Sequence, residues 1–130
     1  MRTLSVISLL LLAILTACSP DNATAQNGNY SAQDITIAEF LTMDMSKYHL
    51  IDVRTPEEYK DGNVEGSINI NWYDDNFTKL MEELSKDKPT IIYCRSGGRS
   101  KSAMNKISGE HFPELYNVLG GYLEYSKTDQ

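Results

Sequence analysis

The 130-residue chain carries 12 Lys and Arg against 18 Asp and Glu, so its formal net charge is −6 at pH 7. This length leaves room for one domain, and an acidic domain does not favour nucleic acid or an anionic membrane surface as a partner. Cys, His and carboxylate residues are nowhere grouped at metal-ligand spacing, so we expect no metal and no cofactor.

The amino-terminal end is typical of an export signal. Arg2 precedes an uncharged stretch, residues 4–16, which is shorter than the ~20 residues that span a bilayer. The stretch ends in Leu-Thr-Ala-Cys, which resembles the bacterial lipoprotein signal, although an ordinary secretory signal or a short anchor is the alternative. We expect removal of residues 1–17 and lipidation of Cys18, which would hold the protein at the periplasmic or extracytoplasmic face of the cell envelope. The choice between inner and outer membrane stays open.

A polar segment follows the lipidation position. Residues 18–30 show neither helical nor strand periodicity, and they predict a flexible tether before a domain over residues 31–130. If Cys18 carries lipid, Cys94 is the only free thiol of the chain, in a compartment that tends to oxidise thiols.

Short apolar runs alternate with helical patterns along the domain. Two runs are rich in β-branched residues, as strands buried on both faces of a parallel sheet are, and two more are weaker strand candidates. The strand predictions are 48–53 and 90–94, with 67–70 and 115–119 as the weaker pair. Apolar residues at helical spacing predict helices within 37–43, 55–60, 76–87 and 100–107. This alternation predicts an α/β domain.

The second predicted helix has a clear beginning. Thr55 can cap it, Pro56 suits its first position, Glu58 completes a capping box, and Gly62 can end it. We therefore interpret Glu58 as a capping residue rather than a catalytic one.

Cys94 lies at the carboxyl end of a predicted strand, where open α/β sheets bind ligands. Gly97 and Gly98 allow several successive amides to turn inward, and a helix from about residue 100 adds its positive end. With Arg95 and Arg99 nearby, these surroundings lower a thiol pKa from about 8.5 and favour the thiolate. Such a cysteine can attack phosphorus or carry a sulfane sulfur as a persulfide; the remaining interpretation is an inert buried cysteine in a turn.

Three segments resemble motifs of the rhodanese-like sulfurtransferases, and they occur along the chain in the same order as in that family. They are YCRSGGRS at 93–100, IDVRTPEEYKDGNVEGSINI at 51–70 and VLGGYLEY at 118–125. The resemblance implies a central, mostly parallel sheet flanked by helices. Asn63, Glu65 and Tyr125 depart from the His, Pro and Trp that are common in the family, and these departures bear mainly on substrate preference.

The resemblance also implies roles for individual residues. Cys94 would be catalytic, and the amides of the loop would hold its persulfide; the loop residues are Arg95, Ser96, Gly97, Gly98 and Arg99. Arg99 would also bind the anionic part of the donor. Asp52 and Arg54 border the same pocket, or they form an internal ion pair or a hydrogen bond to loop backbone. Trp72 and Tyr73 line the pocket or simply pack.

Loop length separates the two reactive chemistries. Four residues lie between Cys94 and Arg99, whereas cysteine phosphatases have five and commonly place His where Tyr93 stands. We expect a sulfurtransferase that moves sulfur from a donor such as thiosulfate to a thiol or cyanide. A persulfide relay or binding module is the alternative, ahead of a phosphatase. We expect small-molecule donor and acceptor partners, membrane attachment through the lipid on Cys18, and a monomer.

Overall fold

The computed structural model describes residues 30–108 and 112–128. Its centre is a five-stranded sheet of order β1-β5-β4-β2-β3, in which every neighbouring pair is parallel. The strands are β1 (Ser31–Ile35), β2 (His49–Asp52), β3 (Ile68–Asn69), β4 (Thr90–Tyr93) and β5 (Glu114–Val118). The α/β prediction with a parallel sheet is confirmed.

Helices connect the strands and cover both faces of the sheet. They are α1 (Ile37–Leu41), α2 (Pro56–Lys60), α3 (Phe77–Glu82), α4 (Gly98–Ile107) and α5 (Gly121–Tyr125), with a 3₁₀ turn at Met45–Lys47. Successive strand residues face opposite sides: Ile92 packs in the core with Phe77 and Met104, and Ile91 packs in the core with Phe40. The two cores lie on opposite faces of β4. Because all the strands run parallel, the loop after β4 lies at the carboxyl edge of the sheet.

The predicted strands are all present, each within a few residues of its predicted bounds. The structure adds β1 and α5, which the sequence did not predict. Helix α3 ends at Glu82, earlier than predicted, since the chain turns after Glu83. The capping box of α2 is confirmed: Glu58 N–H donates to Thr55 Oγ1 (3.3 Å) and Thr55 N–H donates to Glu58 Oε2 (3.1 Å).

The expected signal peptide, the lipidation position Cys18 and the tether up to residue 29 lie outside the described residues. These expectations therefore stay predictions. None of the helices within 30–108 and 112–128 has the length and apolar character needed to cross a membrane.

Candidate active site

Cys94 immediately follows β4 and is buried, with 1% of its surface exposed. The next residues turn sharply, and Gly97 has a φ of +100°, a conformation that glycine adopts without a steric penalty. Helix α4 begins at Gly98, so its positive amino-terminal end faces the same loop. Arg95, Ser96 and Gly98 are exposed, and the loop is therefore open to solvent on one side.

A second glycine segment, Gly120-Gly121, packs against the backbone of the loop. The Tyr122 N–H donates to Cys94 O (2.8 Å) and the Leu123 N–H donates to Arg95 O (3.0 Å). Gly121, at φ +53°, lies so close that a Cβ there would overlap the Cys94 carbonyl oxygen and sit 2.9 Å from Arg95 C. The Gly120-Gly121 pair thus allows the start of α5 to clamp the first two carbonyls of the loop.

The sulfur of Cys94 accepts hydrogen bonds from its own loop. The Gly97 N–H is 3.1 Å from Sγ, and the Ser100 hydroxyl oxygen is 3.4 Å from it. Burial opposes the charged form, but hydrogen bonds from the Ser100 hydroxyl and from the amides of Ser100, Ser96 and Gly97 outweigh it and lower the pKa of the Cys94 thiol. The loop therefore favours a thiolate, as its sequence predicts.

Arg99 is held by Glu58 across the mouth of the loop. Its Nη1 and Nη2 donate to the two carboxylate oxygens of Glu58 at 2.7 Å each, and both side chains are partly buried. The Arg99 hydrogen bonds, with the Thr55 N–H, lower the pKa of Glu58 to about 2 against the opposing effect of burial. Glu58 therefore caps α2 and also pairs with the loop arginine, and the second contact was not predicted.

Asp52 and Arg54 form an internal ion pair. Arg54 Nε donates to Asp52 Oδ1 (3.0 Å), and Arg54 Nη2 donates to Asp52 Oδ2 and to Gly62 O at 2.6 Å each. Both residues are buried, and the Arg54 guanidinium lies 4.1 Å from the centre of the Tyr122 ring. Of the two interpretations, this geometry favours the ion pair, which ties the end of β2 to the Gly62 turn and to α5.

The two aromatic residues after β3, Trp72 and Tyr73, have different surroundings. Trp72 is partly buried and packs edge-on against Phe77, with ring centres 5.0 Å apart, so it packs against the core. Tyr73 is exposed and its ring centre lies 5.9 Å from the Arg99 guanidinium carbon, so it borders the loop.

The family model described as a rhodanese-like domain matches residues 36–128 of the chain. The chain belongs to the rhodanese-like domain family. It is 28% identical over 108 residues to thiosulfate sulfurtransferase 16, chloroplastic, of Arabidopsis thaliana, covering 75% of this chain and 88% of that relative. It is 30% identical over 78 residues to a sulfurtransferase of Allochromatium vinosum, covering 60% and 71% of the two chains. The crystal structure of a rhodanese-related protein from Thermoplasma volcanium superposes with a TM-score of 0.64 at 26% identity, covering 73% of this chain and 91% of that one.

Two of the three positions that depart from common rhodanese-like residues, Asn63 and Tyr125, make contacts within the fold. Asn63 Nδ2 donates to Tyr59 O (3.1 Å), and the ring of Tyr125 packs edge-on against Phe40 at 6.1 Å. Within residues 30–108 and 112–128, no three His, Cys, Asp or Glu side chains form a group that could hold a metal ion.

Sequence reasoning missed Ser100 as a site residue. Its side chain is fully buried and touches Cys94 Sγ, Gly97 O and Asn117 Oδ1. Its place at the start of α4, six residues after the cysteine, is the only local signal, and a serine at a helix start is usually read as a helix-starting residue.

Proposed function

We propose that this rhodanese-like domain is a sulfurtransferase that carries a sulfane sulfur as a persulfide on Cys94. The observation that carries the proposal is the sulfur environment: a buried thiol with a lowered pKa, 3.1 Å from the Gly97 N–H, in a loop with four residues between Cys94 and Arg99. Amides that converge on a single sulfur suit a persulfide anion better than a tetrahedral phosphate. Relatives named as thiosulfate sulfurtransferases support the same assignment.

The first half-reaction charges the cysteine. The Cys94 thiolate attacks the outer sulfur of a donor such as thiosulfate, the S–S bond of the donor breaks, and sulfite leaves with the electron pair. The persulfide anion that remains carries its charge on the outer sulfur. The loop amides from Arg95 to Arg99 would stabilise that charge.

The second half-reaction regenerates the Cys94 thiolate. A thiolate or cyanide attacks the outer sulfur, and the Cys94 sulfur departs as the thiolate. The same hydrogen bonds from Gly97 and Ser100 that lower the thiol pKa also stabilise this leaving group. No additional oxidant or reductant is needed in either step.

An anionic donor reaches a site whose arginine is already paired. The Glu58 pair uses two of the five N–H donors of Arg99, so Arg99 can bind the donor through the others, while the exposed side chain of Arg95 offers a second cation at the loop. Asp52 and Arg54 have no direct role in this proposal, because they are buried in their own pair.

The amino-terminal sequence supports a location for this activity. We propose that a lipid on Cys18 anchors the domain at the cell envelope. The protein would act there as a monomer, and its Cys94 would react with small sulfur donors and thiol acceptors.

Steady-state kinetics test the function. With thiosulfate and cyanide as substrates, we expect thiocyanate formation with parallel double-reciprocal lines, the pattern of a double displacement, and no activity in Cys94→Ser. Activity that survives in Cys94→Ser would contradict the proposal. Persulfide formation without turnover by any small acceptor would favour the relay alternative.

A further inference from the structure

A network of hydrogen-bonded polar side chains connects the buried sulfur to Asp34 and Lys101 at the surface. Ser100 Oγ lies 3.4 Å from Cys94 Sγ and 2.6 Å from Asn117 Oδ1. Asn117 Nδ2 donates to Asp34 Oδ1 (2.9 Å), and Lys101 Nζ donates to both oxygens of Asp34. The network therefore joins α4, β5 and β1, and its two inner members, Ser100 and Asn117, are fully buried.

The ionised state of Asp34 fixes which groups donate and which accept in this network. The Asp34 carboxylate can only accept, because the Asn117 and Lys101 hydrogen bonds hold its pKa below the ordinary value. The amide nitrogen of Asn117 must then face Asp34, and its oxygen must face Ser100. Since an amide oxygen carries no proton, the 2.6 Å contact requires the Ser100 hydroxyl to donate.

Ser100 has one hydroxyl proton and more than one acceptor. A third acceptor, Gly97 O, lies 3.1 Å from Ser100 Oγ. Asn117 Oδ1 is nearer, at 2.6 Å, and a Cys94 thiolate is charged, so the main competition is between Asn117 Oδ1 and Cys94 Sγ. When Cys94 is a thiol, its S–H can donate to Ser100 Oγ while the hydroxyl donates to Asn117. When Cys94 is a thiolate, the hydroxyl gains more by turning to the charged sulfur.

We propose that Asn117 is a positioning residue for sulfur transfer, because its side-chain oxygen competes with Cys94 Sγ for the single hydroxyl proton of Ser100. This proposal rests on the proposed persulfide chemistry and adds a residue that does not touch the sulfur. The hydroxyl donates to Asn117 while Cys94 is a thiol or a persulfide, whose charge lies on the outer sulfur. It turns to Sγ each time Cys94 leaves as the thiolate in the acceptor step.

The competition has opposite consequences for two substitutions. Ser100→Ala removes the donor, so the Cys94 thiol pKa rises by about one unit and the acceptor step slows, since the leaving thiolate loses a hydrogen bond. Asn117→Leu removes the competitor, so the hydroxyl stays with the sulfur and the thiol pKa falls by about half a unit, without slowing of the acceptor step.

The test is the pH dependence of iodoacetamide alkylation in the full chain, followed by mass spectrometry on the peptide that contains Cys94, so that Cys18 does not contribute. In Ser100→Ala combined with Asn117→Leu, the thiol pKa should equal that of Ser100→Ala alone, because Asn117 acts only through Ser100. Asn105→Leu, the same change at an exposed position of α4, should leave the thiol pKa unchanged. These substitutions alter no charged or titratable group. Those that remain around the site include Asp34, Asp52, Arg54, Glu58, Tyr73, Tyr93, Arg95, Arg99, Lys101, Lys106, Glu114, Tyr116, Tyr122 and Glu124.

A rise or no change of the thiol pKa in folded Asn117→Leu, or a double variant unlike Ser100→Ala, would overturn the proposal. The wild-type chain provides a measurement that is independent of folding in any variant. The side-chain amide resonances of Asn117 should shift with the midpoint of the Cys94 titration and return on persulfide formation, and resonances that ignore the state of Cys94 would contradict the competition. If the pKa pattern holds but no donor forms a persulfide, the proposed function fails, and with it the role of Asn117 in sulfur transfer, while the competition for the Ser100 proton stands.

Discussion

At the scale of single residues, the Arg99 guanidinium occupies the mouth of the loop with both terminal nitrogens on Glu58. If it also binds the donor, Arg99→Ala should lower kcat/KM for thiosulfate roughly 10- to 100-fold, the effect of losing a hydrogen bond to a charged group worth about 1.5–3 kcal/mol. Arg99→Lys keeps the charge but loses the planar fork, so it should recover only part of the activity. Arg95→Ala is the matched control; a larger loss there, with normal kinetics in both Arg99 variants, would move the donor site to Arg95.

Gly121 is a residue at which the side chain itself is forbidden. Gly121→Ala would place a Cβ against the Cys94 carbonyl and 2.9 Å from Arg95 C, so the clamp on the loop has to open. Gly66→Ala is the control, since Gly66 also has a positive φ (+79°) but a Cβ there would meet nothing within 4 Å. We expect Gly66→Ala to cost about 1 kcal/mol of unfolding free energy and Gly121→Ala clearly more, with loss of sulfur transfer. Equal unfolding free energies for the two variants in urea titrations would show that the clamp is not tight.

At the scale of elements, the Glu58–Arg99 pair joins the start of α2 to the start of α4. The folded-state pKa of Glu58, about 2, lies below its ordinary value of 4.5, because Arg99 binds the charged form. The pair's contribution to stability is therefore fully present above about pH 4.5 and is lost as the pH falls toward 2.

Glu58→Gln isolates this contribution, because Gln can still complete the capping box with Thr55 while the charge is removed. In urea unfolding, the wild type should be more stable than Glu58→Gln at pH 7, and the difference should shrink steadily between pH 4.5 and pH 2. A difference that stays constant over this range would mean that the pair adds nothing electrostatic to stability.

The elements differ in how far their sequences could predict them. Strands β2 and β4 are buried along nearly their whole length, and the aliphatic residues at their centres form short apolar runs that can be detected in the sequence. Strand β1 has four exposed residues out of five and lies at the edge of the sheet, where pairing with β5 leaves no apolar pattern to detect. Helix α5 is short and begins at a glycine, so it reads locally as a turn.

The site shows the same division between local and distant information. The loop around Cys94 could be predicted because its glycines, arginines and strand end are contiguous in sequence. The partners of that loop could not, because Glu58 lies 41 positions before Arg99 and Asn117 lies 17 positions after Ser100. Asp52 and Arg54 were ambiguous for a related reason: their spacing suits a pocket edge as well as the buried pair that the structure contains.

At the scale of the whole molecule, the proposed lipid anchor on Cys18 precedes the acidic domain. In bacteria that express the full chain, we expect incorporation of labelled palmitate that is lost in Cys18→Ser. Cys94→Ser is the matched control, because it removes the other cysteine of the chain and should keep the label. An unlabelled wild-type protein cleaved at another position would sink the lipoprotein proposal and leave a secreted domain.

We propose that the size of the loop sets its chemistry, since four residues between Cys94 and Arg99 form a cradle for sulfur rather than for phosphate. A glycine inserted between Gly97 and Gly98 gives the phosphatase spacing but shifts Ser100, whose hydroxyl oxygen lies 3.4 Å from Sγ, relative to Cys94. We expect this variant to transfer less sulfur although its thiol remains, because the amides no longer converge on one atom.

Intact mass spectrometry of the wild-type chain is the most direct test of that claim. After exposure to thiosulfate the protein should gain the mass of one sulfur atom, lose it to cyanide or excess thiol, and show negligible turnover of an aryl phosphate. Cys94→Ser should gain no mass. Ready hydrolysis of the aryl phosphate, with no persulfide from any donor, would contradict the account and show that loop size does not set the chemistry of Cys94.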